Sequence, residues 1–259
     1  MGISGNNQIV KDFLANYYNY IFPENCIGEV FDGKLYITPH GILKVFDNRA
    51  LRFAARKEVI FQSFLRRDFY TKCPNLVPVN VLLYNGTKFY SNNFAGYIMQ
   101  VPPIGVTLDV ALKDKSVIGK LILLKKVENV IKFLHDERIV IPNLNETRII
   151  VYDNEVYFML NDDCCIYDRY RPIGMRLKYP CPFTKMLTKK SDIFVFRLMV
   201  VLALTGELNG KVEVYKFSLL KRIRLKKEIK KMNLPGDIKP KLLKIFNFKS
   251  CRNLDDYLF

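Results

Sequence analysis

The 259-residue sequence has no tryptophan and only two histidines, His40 and His135. Its six cysteines, Cys26, Cys73, Cys164, Cys165, Cys181 and Cys251, include no Cys-x-x-Cys pair. Protein zinc sites draw on clustered Cys and His ligands, so no zinc site is expected here. Cys164 and Cys165 are adjacent in the chain and poorly placed to chelate one ion or to bridge each other. No apolar run reaches the roughly 18 to 20 residues of a membrane-spanning helix. The longest lies in residues 193–204 and is interrupted by Arg197. Residues 1–10 lack the basic start and apolar centre of a secretory signal. The Met-Gly start is followed by Asn6 where an acylation signal prefers Ser or Thr, so lipidation is not expected. Together these absences predict free thiols, no membrane partner and an intracellular protein, cytoplasmic or nuclear. There is also no internal repeat.

What the chain has in quantity is apolar residues and positive charge. Hydrophobic residues make up 49% and aromatics 13%, enough for a packed core rather than a disordered chain. The net charge of +16 implies attraction to something anionic. The order of elements is informative as well. Residues 34–46 read as a hairpin turning at Thr38-Pro39-His40-Gly41. Residues 49–67 lack Gly and Pro and space Phe53, Val59, Ile60 and Phe64 as a helix does. Apolar strands follow at 77–84 and 89–100, parted by Asn85-Gly86. After a Pro/Gly link at 101–105 the pattern turns helical: an amphipathic helix over 115–135, a small hairpin at 149–152 and 156–160, and a helix at 191–204 apolar almost all round. Residues 161–190 read as irregular, and helices are expected near 218–232 and 239–246.

This order and several local strings resemble the eukaryotic-type protein kinase superfamily over nearly the whole chain. Gly41-Ile42-Leu43-Lys44 resembles the strand that carries the phosphate-contacting lysine, and Glu58 matches its helix partner. Tyr97-Ile98-Met99-Gln100-Val101 is similar to the strand entering the hinge. Phe133-Leu134-His135 resembles the helix end before the catalytic loop. Ser191-Asp192-Ile193-Phe194, running on to Leu204-Thr205-Gly206-Glu207, resembles the buried helix whose aspartate anchors that loop. Tyr179-Pro180-Cys181-Pro182 is similar to the end of an activation segment. The resemblance implies an α+β, two-lobed kinase-like fold: a small β-rich N-lobe with one main helix at 1–100, a hinge at 101–105 and a mainly helical C-lobe at 106–259.

It also implies positions for the chemistry, and there the sequence departs from the pattern. Kinases use an aspartate to orient the incoming hydroxyl, an asparagine on one Mg²⁺ and a second aspartate on the other. Counting from His135, these fall on Asn143, Arg148 and Asn161, with Asp162 as the alternative to Asn161 if the hairpin carries an extra residue. A neutral amide is no general base, and a guanidinium opposes a dication. The phosphate loop survives only as Gly28 and Gly33 with Val30 between, and Ile42 adds bulk where the family has a small residue. Lys44, Glu58 and Gln100 are then vestiges of a nucleotide pocket. ATP binding is expected to be weak or absent, and no Mg²⁺ is expected. Gln62 and Asp162 (or Asp163, if Asp162 takes the metal position) interrupt the apolar stack that aligns active kinases, Phe183 replaces a glutamate, and Arg197 stands at a glycine-like position that calls for an acidic or carbonyl partner.

The expectation is therefore a pseudokinase, an inactive kinase-like protein that binds another protein and regulates or mimics a true kinase. Two alternatives stay open: a divergent active Ser/Thr kinase, and a nucleic-acid binder. The second rests on a basic amphipathic stretch formed by Lys221, Arg222, Arg224, Lys226, Lys227, Lys230 and Lys231. Composition rich in Lys, Asn and Ile points to an AT-rich genome, and with the eroded site to a viral or microbial source acting within a host cell.

Overall fold

The structure is a computed structural model. It describes residues 2–5, 7–30, 33–47, 58–59, 61–62, 69–84, 94–141, 143–159, 164–166, 177–181, 188–211, 213–247, 254 and 256–259. The chain is mixed α+β and divides into two compact units, Met1–Pro102 and Pro103–Phe259. Among the described residues no helix is long and apolar enough to cross a membrane.

The first unit is built on six antiparallel strands: β1 (Gly2–Gly5), β2 (Cys26–Val30), β3 (Gly33–Thr38), β4 (Gly41–Phe46), β5 (Val79–Tyr84) and β6 (Phe94–Met99), in the order β1-β5-β6-β4-β3-β2. β6 lies between β5 and β4, so all six of its residues are buried. The expected strands at 77–84 and 89–100 are thus shorter where described, and the turn at 85–86 lies outside the described residues. The β3–β4 turn is closed by Thr38, whose Oγ1 donates to the Gly41 carbonyl at 2.8 Å and accepts from the His40 amide at 3.2 Å. Gly41 has φ +131°, and a Cβ there would collide with the Met99 carbonyl, so both conformation and space demand glycine. Of the expected helix at 49–67, residues 58–59 and 61–62 are described and helical; the rest lies outside. A short helix α2 (Phe69–Lys72) follows.

The expectation of a single helix in this part needs correction, because α1 (Asn7–Tyr20) adds another. Its Tyr17 and Tyr20 pack with Ile21 on a core of Tyr36, Leu43, Val81, Leu83 and Ile98. A polar cluster ties it to the β3–β4 turn. The Asp12 carboxylate accepts from Tyr20 Oη at 2.6 Å and from Asn16 Nδ2 at 3.0 Å, and bonds His40 Nε2. The Tyr20 and His40 hydrogen bonds hold the Asp12 carboxyl below the usual carboxylate range. Because its folded pKa lies below its unfolded one, this tie is complete above the ordinary value of 3.8 and is lost as pH falls through the folded pKa. Acid titration followed by amide exchange should therefore release α1 and the 39–40 turn together below about pH 4, while Asp12→Asn should remove that pH step.

The second unit packs helices α3 (Leu108–Lys113), α4 (Val117–Asp136), α5 (Lys189–Leu204), α6 (Leu219–Lys231) and α7 (Ile238–Leu243) with small sheets. β7 (Val106–Thr107), β9 (Ile149–Tyr152) and β10 (Glu155–Phe158) form one sheet, and β8 (Ile139–Val140) pairs with β11 (Cys165–Ile166). The β9–β10 turn places Asp153 and Asn154 at φ 47° and 57°, the left-handed conformation that these two residue types tolerate. α5 is the core: every residue from Ser191 to Leu204 is buried. Thr188 caps it in a reciprocal box with Ser191. Arg197, buried inside it, finds the carbonyls of Lys241 at 3.0 Å and Asp256 at 2.6 Å and the Asp256 carboxylate at 3.2 Å. Both kinds of partner expected for it are therefore present.

Candidate functional site

Two features of the sequence bring one loop into focus. α4 carries His135 in its last turn, and α5 carries Asp192 in its first. In the structure the two meet. Asp192 Oδ2 accepts the Ile141 amide at 2.7 Å and lies 3.1 Å from His135 Nε2, all in the interior. Burial pushes the Asp192 carboxyl up, and the His135 and Ile141 hydrogen bonds pull partly against it. The other ring nitrogen of His135 is 3.0 Å from Tyr257 Oη. Asp192 thus pins the chain where it leaves β8.

Beyond that pin the loop is held at each step. Asn143 Oδ1 accepts the Lys178 amide at 3.1 Å, and the Asn143 carbonyl accepts from Asn145 Nδ2 at 2.7 Å. Asn145 Oδ1 then caps the single 3-10 turn Glu146–Arg148 by accepting from the Thr147 amide at 3.1 Å. Glu146 is fully buried, paired with Lys178 Nζ and bonded by Tyr179 Oη at 2.8 Å. Lys178 Nζ also donates to the Asn209 carbonyl at 2.6 Å. Burial and the Glu146 carboxylate push the Tyr179 hydroxyl far above its usual range. Arg148 closes the turn, its amide donating to Asn145 O at 3.3 Å and its carbonyl accepting from Met159 N at 3.0 Å. Asn161 and its alternative Asp162 lie outside the described residues, as does Phe183.

Chemically, this loop offers no proton acceptor at Asn143 or Arg148. The Asn143 side-chain oxygen accepts a backbone hydrogen bond, and its amide has no basicity near neutral pH. The one carboxylate in the loop, Glu146, is engaged by a buried cation and a phenol. The Glu146–Lys178–Tyr179 lock escaped sequence reading because its members are about thirty residues apart and form no short motif.

In the first unit Lys44 is buried on β4, with Nζ 5.3 Å from the Phe46 ring centroid and 6.0 Å from that of Tyr97. Glu58, also buried, accepts from Tyr84 Oη at 2.8 Å and Gln62 Nε2 at 2.5 Å, and among the described residues its Oε2 has no hydrogen-bond partner. Tyr84 reaches the carboxylate from β5 and supplies a neutral donor. Gly28 follows a bulge in β2. At Gly33 a Cβ would strike the Val45 carbonyl, so close strand approach alone accounts for glycine there. Gln100 leaves β6 exposed, its amide donating to the Pro78 carbonyl at 2.8 Å.

The expected basic surface is α6, and the structure divides its charges. Lys221 Nζ sits 4.6 Å from the Tyr215 ring centroid, Arg222 donates to the Phe246 carbonyl at 3.0 Å, and Arg224 pairs with Glu207 and, at 3.8 Å, with Glu228. Lys227, Lys230 and Lys231 are exposed, and Lys226 is half-buried. Among the described residues no group of three His, Cys, Asp or Glu side chains is placed to hold a metal ion. No protein-family model matches this sequence, and no curated protein matches it.

Proposed function

We propose that this protein is a pseudokinase: a two-lobed, kinase-like scaffold without phosphoryl-transfer activity, which acts by binding another protein and thereby regulates or mimics a true kinase. The observation that carries the reading is Asn143. It follows the Asp192-anchored entry to the loop, where the resemblance requires the catalytic aspartate, and its only side-chain oxygen accepts the Lys178 amide. Support also comes from the mixed α+β architecture, from Lys44 on a central strand of an antiparallel sheet, and from the buried Asp192–His135 contact.

The reading extends to cofactors. A unit positive charge about 4 Å from a dication opposes it by about 8 kcal/mol at an effective dielectric near 20. Arg148 at the metal-binding position therefore disfavours Mg²⁺, and nucleotide without metal is held weakly or not at all. Incubation with radiolabelled ATP, generic protein substrates and either Mg²⁺ or Mn²⁺ tests the proposal, and no incorporation above background is expected.

A further inference from the structure

α6 is anchored by Leu225 and Ile229, both fully buried, which turns a different face to solvent. On that face Leu219, Ile223, Lys227 and Lys231 follow one another at four-residue steps, a single ridge along the helix. Leu219 is 67% exposed, Leu220 80% and Ile223 58%. Lys227, Lys230 and Lys231 are exposed too. The ridge is therefore polarised over about 18 Å, apolar in its first turns and cationic in its last. The cations at its apolar end, Lys221, Arg222 and Arg224, are turned to aromatic, carbonyl and carboxylate partners of the same unit.

We infer that this face docks an acidic segment of a partner protein, one that presents apolar side chains beside its carboxylates. The inference rests on the reading that the protein works by binding another protein, and it names the surface and the chemistry. Both halves of the ridge need a complement. Leucine and isoleucine gain nothing from a phosphate backbone, and the ridge carries no aromatic side chain on which a base could stack, which disfavours nucleic acid. The apolar residues occupy only the first turns of the helix and do not run its length as an interfacial helix requires, which disfavours an anionic bilayer. A protein segment with apolar anchors followed by carboxylates matches both ends at once.

The test uses the full chain and three probes: a labelled helical peptide with leucines at one end and glutamates at the other, phosphatidylserine–phosphatidylcholine vesicles, and poly(U). The peptide should bind. Leu220→Asp with Ile223→Asp should weaken it at least about tenfold, since each side chain loses its burial. Lys227→Glu with Lys230→Glu should weaken it several-fold at low salt, with the melting temperature of both variants unchanged. Failure of the peptide to bind, equal binding by the variants, or retention only on vesicles or poly(U) would overturn the inference. Phosphoryl transfer measured on the same preparations separates the two claims. An active chain that binds the peptide contradicts the proposed function alone, and an inactive chain that ignores it contradicts the docking surface alone.

Discussion

Replacing Asp192 by alanine should destabilise the second unit by about 3 kcal/mol, because it strands two buried donors at a cost of about 1–3 kcal/mol each. Those donors are the Ile141 amide and the His135 ring, which share one carboxylate oxygen. The damage should be local as well as global: amide exchange across 141–148 should speed up more than across α5. Asp192→Asn keeps the volume and one acceptor oxygen, so about 1 kcal/mol is expected from it. The two variants should also differ from the wild type in pH response. Burial raises the Asp192 pKa, so its contribution is fully present below the ordinary aspartate value and declines as pH rises through the folded one. Neither variant retains that slope. Denaturant unfolding at two pH values measures both effects.

The second large effect is expected at Lys178. Truncation to alanine leaves the fully buried Glu146 carboxyl without its cation and, among the described residues, bonded by Tyr179 Oη; breaking such a buried pair costs about 3–5 kcal/mol. Removing both charges in Lys178→Met with Glu146→Leu should cost less than Lys178→Ala alone, although the Tyr179 hydroxyl then loses its acceptor. A double-mutant cycle in denaturant reads the coupling directly. Additive losses would mean that the ammonium and the carboxylate act independently, against the geometry of the lock.

How much of this was legible in the sequence depends on the range of the interactions involved. The β3–β4 hairpin, the β9–β10 turn and helices α4, α5 and α6 announce themselves through local periodicity and turn residues. α1 was missed because it has no acidic residue in its first turn and no basic one in its last, the charges that usually mark helix ends. β1 was missed because Gly2-Ile3-Ser4-Gly5 reads as a turn, and only pairing with β5 makes it a strand. At the candidate site, Asp192 was legible through the string around it, whereas the partners of Glu58 were not. That Tyr84 meets the buried Glu58 carboxylate is decided by where β5 lies, which no local pattern encodes. The Glu146–Lys178 pair is silent in the sequence for the same reason.

The proposed function itself turns on whether a site with Asn143 and Arg148 can transfer phosphate. Incorporation of label from γ-³²P-ATP into generic substrates and into the chain itself, with Mg²⁺ and with Mn²⁺, measures this most directly. The account predicts background levels in the wild type, indistinguishable from Lys44→Ala. Incorporation well above background that Lys44→Ala abolishes would contradict it.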